Sequence, residues 1–338
     1  MEDAVARAGG ASNSMTVSVD AFIERGGFAG AARQKLAGDA SSRSYKRISL
    51  DGNSAILMQD PDQSSVKSFL KVSEILKDWG YSAPEILVDG SKDGLLLLED
   101  FGDELFARIL ETAPEREMEL YTLAADFLVD LTKQDAPTGL KLYSQSYVLD
   151  QNALFLDWYV PNILGESLPD KARFFFQQIW RELFELLSED QEVFLYRDFH
   201  AENLFFLEGR KGLRQLGLID YQDAMTGPAA YDLASLLQDA RRTVSTELAT
   251  SIVDHYVSRT NYDQKEFMRS YSILGAHRCL RILGVFTRLA KQQNKDRYSR
   301  FMPRVLGYLN SNLAHPDLVA LKHWIKVTLG NNMDEVPL

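Results

Sequence analysis

A single cysteine, Cys279, in 338 residues excludes an internal disulfide framework and a cysteine-rich zinc site. No apolar run approaches the roughly 18–20 residues of a membrane span. The candidate, Leu95, Leu96, Leu97 and Leu98, is bounded at once by Gly94 and Glu99. Positive charge is in deficit: 37 Lys and Arg against 48 Asp and Glu give a formal net charge of −11. That balance argues against a general nucleic-acid-binding or anionic-membrane surface, while leaving room for a local basic pocket. The histidines are scattered, without the H-x-x-x-H spacing of a metal-binding helix, and none is assigned to metal. The chain starts with Glu2 and Asp3, not with the basic start and apolar stretch of a secretion signal. Residues 1–14 are expected to form a loose tail, and a reducing cytoplasm is the expected setting. What remains is 45% apolar and 25% charged, enough for two lobes with sizeable cores.

The first lobe reads as short strands around one helix. Residues 44–50 alternate in polarity, Asp51, Gly52 and Asn53 carry turn chemistry, and Ala55, Ile56, Leu57 and Met58 form a short apolar strand, so a hairpin is predicted. Val66, Phe69, Leu70, Ser73 and Leu76 share a helical stripe that Gly80 stops. Two more strands are predicted at 85–88 and 95–98, giving a small sheet with a helix across it. From about residue 104 the apolar period becomes 3.6, with helices expected after Pro114, from Asp170, over about 231–242, 246–259 and 265–291, and after Pro303. Strand-like runs at 193–196, 204–207 and 213–219 interrupt this helical field. The expected class is α+β, with a tail over 1–14, a first lobe over 15–98, a hinge over 99–103 and a helical lobe over 104–338.

Inside the strand island lies Asp198, followed by Asn203 in a D-x-x-x-x-N spacing. Seventeen residues beyond Asn203, Asp220 ends the next strand. Phosphoryl transfer needs oxygen ligands for Mg²⁺ on nucleotide phosphates and a carboxylate that orients or deprotonates the attacking hydroxyl. A loop Asp, a nearby Asn and an Asp across the turn supply that set. The pair alone recurs by chance; its placement between apolar strands gives it weight.

In these residues the chain resembles the aminoglycoside phosphotransferase and choline kinase group of the protein-kinase-like fold. Further segments carry the likeness: residues 36–45, 96–103, 227–233 and 283–289. Within the group it is most similar to bacterial cell-wall amino-sugar kinases, which phosphorylate the anomeric hydroxyl of N-acetylmuramate and N-acetylglucosamine. The resemblance implies a two-lobed fold with a small antiparallel-sheet N-lobe and a mainly helical C-lobe, and a kinase that uses ATP and Mg²⁺. It implies Asp198 as the base for the acceptor hydroxyl and Asn203 and Asp220 as Mg²⁺ ligands. Gly38, Asp39, Ala40, Ser41 and Ser42 would belong to the loop over the phosphates, Glu99 and Phe101 to the hinge against the adenine. Asp232 would brace the catalytic loop.

Two features depart from protein kinases. The phosphate loop has one glycine, Gly38, and Met58 stands where the third strand of a kinase ends in lysine. Lys46 or Arg47 on the preceding strand would replace that cation; strand alternation lets only one face the site, and Lys46 is preferred. These departures keep open a nucleotide-binding regulatory pseudokinase as a rival reading.

The acceptor is expected to be a small molecule, because only six residues separate Asp220 from Gly227, too few for a peptide-binding activation segment. An amino sugar is favoured over an aminoglycoside or a choline-like amino alcohol, with no nucleic-acid or membrane partner. Trp158 and Tyr159, beside Asp157, have the polar and aromatic character of a sugar site. Asp223 offers a hydrogen bond to a sugar hydroxyl or ammonium. Arg278, with Arg281 and Arg288 on a late helix, offers cations for a carboxylate such as a lactyl group, although packing and solvated-face roles serve equally well. His200 is expected to hold the loop. ATP versus GTP and the oligomeric state are open, and a monomer is compatible with the sequence.

Overall fold

The computed structural model describes residues 18–36, 43–187, 192–293 and 296–330. They fall into two compact units, Met1–Lys67 with Glu85–Asp100, and Ser68–Pro84 with Phe101–Leu338.

The first unit is a five-stranded antiparallel sheet in the order β1 (Ala32–Lys35), β2 (Ser44–Leu50), β3 (Asn53–Gln59), β5 (Leu95–Glu99), β4 (Ile86–Gly90), preceded by helix α1 (Val19–Arg25). The period of two puts Ala55, Leu57, Leu95 and Leu97 on one face. There they pack with Ile48 and with Phe22 and Ile23 of α1. Leu96 and Leu98, on the other face, are buried as well, so a strand buried on both sides reads as four leucines without alternation. Arg43, at the entry to β2, is buried and bonds Asp60 through Nε at 3.0 Å. It also donates to Tyr45 Oη (3.1 Å) and Ser65 Oγ (2.9 Å).

Helix α2 (Gln63–Asp78) begins in this unit and runs into the second, whereas the sequence suggested that it belongs wholly to the first lobe. Its later side chains explain the difference. The Phe69 ring stacks on Tyr221 at 4.8 Å, and the Ser73 and Tyr221 hydroxyls lie 2.7 Å apart. Trp79, just past the helix, meets Phe194 edge to face at 5.7 Å.

The second unit holds α3 (Phe106–Thr112), α4 (Glu117–Leu131), β6 (Lys141–Leu142), α5 (Gln145–Leu154), α6 (Val160–Leu164) and α7 (Asp170–Glu185), then β7 (Glu192–Leu195), β8 (Leu204–Phe206), β9 (Leu216–Leu218) and β10 (Met225–Pro228). It ends with α8 (Ala230–Leu237), α9 (Thr246–Ser258), α10 (Gln264–Gln293), α11 (Met302–Asn312) and α12 (Val319–Leu329). The expected small sheet followed by a mainly helical region is therefore what the chain forms. Short strands β6, β10 and β7 make a three-stranded sheet, and β8 pairs with β9. The helix expected to reach residue 242 stops at Leu237. There Gln238 exchanges two hydrogen bonds with Asn312 (3.0 and 2.9 Å), and Asp239 Oδ1 accepts from Arg241 N in a tight turn. The strand expected over 213–219 shortens to β9, because residues 212–215 coil into a 3₁₀ turn.

Two local features set the geometry around α10. Between α5 and α6, residues Phe155–Tyr159 form a π turn in which Val160 N–H bonds Phe155 O, five residues back. Pro161 follows, and its missing N–H and its ring disfavour an ordinary α turn over this stretch. Against that turn lies Gly284. A Cβ there would come within 2.3 Å of the Leu154 carbonyl, so only glycine lets α10 approach so closely.

Candidate active site

Asp198 follows β7 on a loop held by α8. The Asp232 carboxylate accepts Tyr196 N–H at 2.5 Å and Arg197 N–H at 2.9 Å, and Ser235 Oγ donates to Arg197 O at 3.2 Å. These bonds fix Arg197 at φ 82°, a left-handed conformation that a non-glycine residue keeps only when its surroundings impose it. Burial raises the Asp232 pKa to about 6, although the two N–H donors and the charges of Arg197 and Arg278 act in the other direction. Arg197 itself is buried, donating to Met225 Sδ at 2.7 Å with its guanidinium over the rings of Tyr147 and Tyr231.

Asn203 ends a short 3₁₀ turn before β8. Its Nδ2 donates to Asp198 O at 2.8 Å, so its carboxamide oxygen is turned away from that carbonyl. Leu204 pairs with Leu218 in the β8–β9 hairpin, and Ile219 N–H reaches Asn203 O at 3.3 Å. Asn203 and Asp220 therefore leave the same end of one hairpin. Asp220 has φ 65°, and its Oδ1 accepts from Gln222 Nε2 at 3.1 Å. The Tyr196 hydroxyl donates to Ile219 O. Its pKa is pushed well above the usual value, by burial first and then by the charges of Asp220 and Asp198. Asp198 and Asp220 thus both act on one buried phenol, and Asn203 is bonded to the Asp198 carbonyl.

Asp198 lines a cavity of about 150 Å³ together with His200, Ser235, Asp239, Arg278 and Arg281. Burial would raise its pKa, but the positive charges of Arg281 and Arg197 outweigh that effect and hold it below the ordinary carboxylate value. Asp198 is accordingly ionised at neutral pH, able to accept a hydrogen bond from a hydroxyl and to take its proton late. His200 is buried and its pKa is lowered to about 4, by burial first and then by Arg241, so the imidazole is neutral. Its Nε2 lies 3.4 Å from both Asn203 Nδ2 and Arg241 Nη1.

The other expected residues divide. Trp158 is half-buried and lines a second cavity of about 420 Å³. Tyr159 does not reach either cavity: the π turn rotates it inward, where its ring stacks on Phe155 at 5.4 Å and burial lifts its hydroxyl to about 12. Asp223 is exposed and lines neither cavity. Arg278 reaches the first cavity, but spends its donors on Ala234 O (3.2 Å) and Ser235 Oγ (2.8 Å). In the first unit, Arg47 pairs with Asp100 at 2.7 Å, while the Lys46 side chain makes no hydrogen bond or ion pair with a described residue. Glu99 is tied to Glu85, and Phe101, in the second unit, meets Phe205 edge to face at 5.7 Å. Gly38, Asp39, Ala40, Ser41 and Ser42 lie outside the described residues, as does the expected tail over 1–14.

Sequence reading missed Ser235 and Asp239. The signal for Ser235 was its position one helical turn after Asp232; Asp239 carries none, because only the turn ending α8 directs it into the cavity. Strand β10, also missed, pairs with β7 and β6. The chain thus re-enters a sheet five residues after Asp220, which confirms that no long segment follows that carboxylate.

A family model described as the phosphotransferase enzyme family matches residues 33–268. The N-acetylmuramate/N-acetylglucosamine kinase of Caulobacter vibrioides is 34% identical over 342 aligned positions, covering 90% of this chain and 94% of that protein. The kinase of the same name from Neisseria meningitidis serogroup B is 32% identical over 81% of this chain and 83% of its own. Among solved structures, a choline/ethanolamine kinase family protein from Mesorhizobium loti superposes with a TM-score of 0.60 at 13% identity, over 89% of this chain and 94% of that one. ADP-bound aminoglycoside phosphotransferase APH(2'')-Ib gives 0.58 at 14%, over 82% and 94%. These structures are too distant in sequence to speak for more than the fold. The family match spans most of the chain and takes in the whole Asp198–Asp232 constellation, and on that ground the chain belongs to the phosphotransferase enzyme family.

Proposed function

We propose that this chain transfers the γ-phosphoryl group of ATP to an amino sugar, at the anomeric hydroxyl of N-acetylmuramate or N-acetylglucosamine. One observation carries the reading: a half-buried, ionised Asp198 shares its loop and hairpin with Asn203 and Asp220, in a chain 34% identical to a kinase named for those two sugars. Asp198 accepts a hydrogen bond from the sugar hydroxyl, aims its oxygen at the γ-phosphorus and receives the proton as the new bond forms. The leaving electron pair stays on ADP.

Among the described residues no three His, Cys, Asp or Glu side chains gather into a metal cage. The donors that are present, the Asn203 carboxamide oxygen and the Asp220 carboxylate, are hard oxygens. They suit Mg²⁺, which takes one or two protein oxygens and completes its shell with phosphates and water. Bound there, the ion would neutralise charge on the phosphates. Lys46 supports the reading as the cation of β2 left available once Arg47 is paired with Asp100. Gly38, Asp39, Ala40, Ser41 and Ser42 would supply backbone N–H groups and hydroxyls to the phosphates, with Glu99 and Phe101 at the base. A cytoplasmic monomer acting on a small sugar, without nucleic acid or membrane, completes the proposal.

The test is phosphate transfer from ATP to each sugar, with loss of the reducing end as the readout, since only anomeric phosphorylation removes it. Asp198→Asn should lower kcat by roughly 10²- to 10⁴-fold while the thermal shift given by ATP and Mg²⁺ persists. Transfer with the reducing end intact would move the reaction to another hydroxyl. Nucleotide binding without transfer to any sugar would favour the pseudokinase.

A further inference from the structure

Three arginines recur along one flank of α10, and the structure separates their roles. Arg278 turns inward onto α8. Arg281 lines both cavities and donates through Nε to the neutral Gln151 Oε1 at 2.8 Å, while its charge acts on Asp198 in the first cavity. Arg288 lines only the second cavity, is half-buried, and its side chain makes no hydrogen bond or ion pair with a described residue. The two residues stand seven apart, on one helix face and about 10 Å apart along the axis.

The opposite wall is built by the π turn and α5, which bring Asp157, Trp158, Asp150 and Gln151 to the cavity. Asp157 is already paired with Arg173 at 2.5 Å. Asp150 is exposed and is the remaining carboxylate of the wall without an ion-pair partner among the described residues. The cavity thus presents two guanidinium groups, one indole ring, a carboxamide, the exposed Asp150 and the already paired Asp157, and it meets the Asp198 cavity at Arg281 and Val285. Planar N–H forks of this kind match a carboxylate in two-point contact, and the indole offers a face to a sugar ring.

We propose that this second cavity is a subsite for a carboxylate-bearing substituent on the sugar, held by Arg281 and Arg288, and that it favours the acidic amino sugar over its neutral counterpart. The inference rests on the sugar-kinase reading and names what selects the acceptor. A sugar whose reacting hydroxyl lies at Asp198 would extend its acidic side arm past Arg281 toward Arg288. The neutral sugar fills the first cavity alone and leaves Arg288 to water.

The experiment compares wild type with Arg288→Gln and Arg288→Lys, on N-acetylmuramate and N-acetylglucosamine. For Arg288→Gln, KM for N-acetylmuramate should rise roughly 10- to 100-fold with kcat little changed, while KM for N-acetylglucosamine stays within twofold. Arg288→Lys should recover part of the loss, because it keeps the charge but not the fork. Equal effects on the two sugars, or none on either, would overturn the subsite. Tryptophan fluorescence, with Trp158 in the cavity wall, gives a binding readout independent of turnover. If wild type phosphorylated neither sugar, the kinase reading would fail, and the subsite would still be judged by whether N-acetylmuramate binding weakens in Arg288→Gln.

Discussion

Replacing Asp232 by Asn should slow phosphoryl transfer while leaving global stability almost unchanged. The carboxylate accepts Tyr196 N–H and Arg197 N–H at 2.5 and 2.9 Å, and Asn has one oxygen to offer in its place. One buried donor then faces an NH₂ group, at a cost of about 1–3 kcal/mol. Against this stands the burden of the charge itself: burial lifts the Asp232 pKa from 3.8 to about 6, so holding it ionised at pH 8 costs about 3 kcal/mol that Asn does not incur. The two terms oppose each other and are of similar size, so the melting temperature should move by no more than about 3 °C. The loop has no such compensation. Arg197 at φ 82° is held by these bonds, and its relaxation shifts Asp198, so kcat should fall roughly 10- to 100-fold with the nucleotide-induced thermal shift intact.

The pH dependence supplies a second readout. A carboxyl group whose folded pKa is raised contributes stability that is full below 3.8 and is lost as pH rises through about 6. Asn has no such contribution, so the variant should compare worse with wild type at pH 4.5 than at pH 8. Steady-state kinetics and thermal melts across that range are the assays. A kcat equal to that of wild type, or a melting temperature lowered by more than about 10 °C, would refute the reasoning.

Asp60→Ala should destabilise the first unit by about 3–5 kcal/mol by leaving the buried Arg43 guanidinium without its carboxylate, read as faster amide exchange in β2 and β3. For Gly284→Ala, the gain in helix propensity of about 1 kcal/mol is opposed by overpacking of about 1–3 kcal/mol against the Leu154 carbonyl. The larger consequence is a displaced π turn, seen as a raised KM for the sugar. His277 is buried between Tyr143 Oη (2.6 Å) and Val148 O (3.3 Å), and burial lowers its pKa to about 3. Its lowered value means that the unfolded chain takes up the proton first, so stability should decline as pH falls from 6.5 toward 3, by about 2 kcal/mol at pH 5. Urea unfolding of wild type and His277→Gln at pH 5 and 7.5 measures that slope.

Some of this architecture was legible because local chemistry and tertiary role coincide. Asp51, Gly52 and Asn53 specify a turn whatever surrounds them, and β2 and β3 pair around it as the expected hairpin. Gly80, at φ 83°, stops α2 where the helical stripe ends. Strand β10 was illegible for the opposite reason. Met225, Thr226, Gly227 and Pro228 have neither alternation nor strand propensity, and they extend because β7 and β6 offer partners on both sides. Tyr159 was misjudged because an aromatic beside Trp158 looks equally suited to a cavity or a core. The extra residue of the π turn decides for the core.

The sequence by itself located the candidate chemistry: Asp198, Asn203 and Asp220 flank short apolar strands, which hold the backbone on either side of them. It also determined the order of a small sheet followed by helices, because apolar period is a local property of the chain. Only the tertiary structure decided which arginine serves which purpose. Arg278, Arg281 and Arg288 share one helix face in the sequence pattern, but α8 takes the first through Ala234 and Ser235. The close approach permitted by Gly284 sets the π turn opposite the other two. Charge alone does not distinguish the three; the partners that each meets across the fold do.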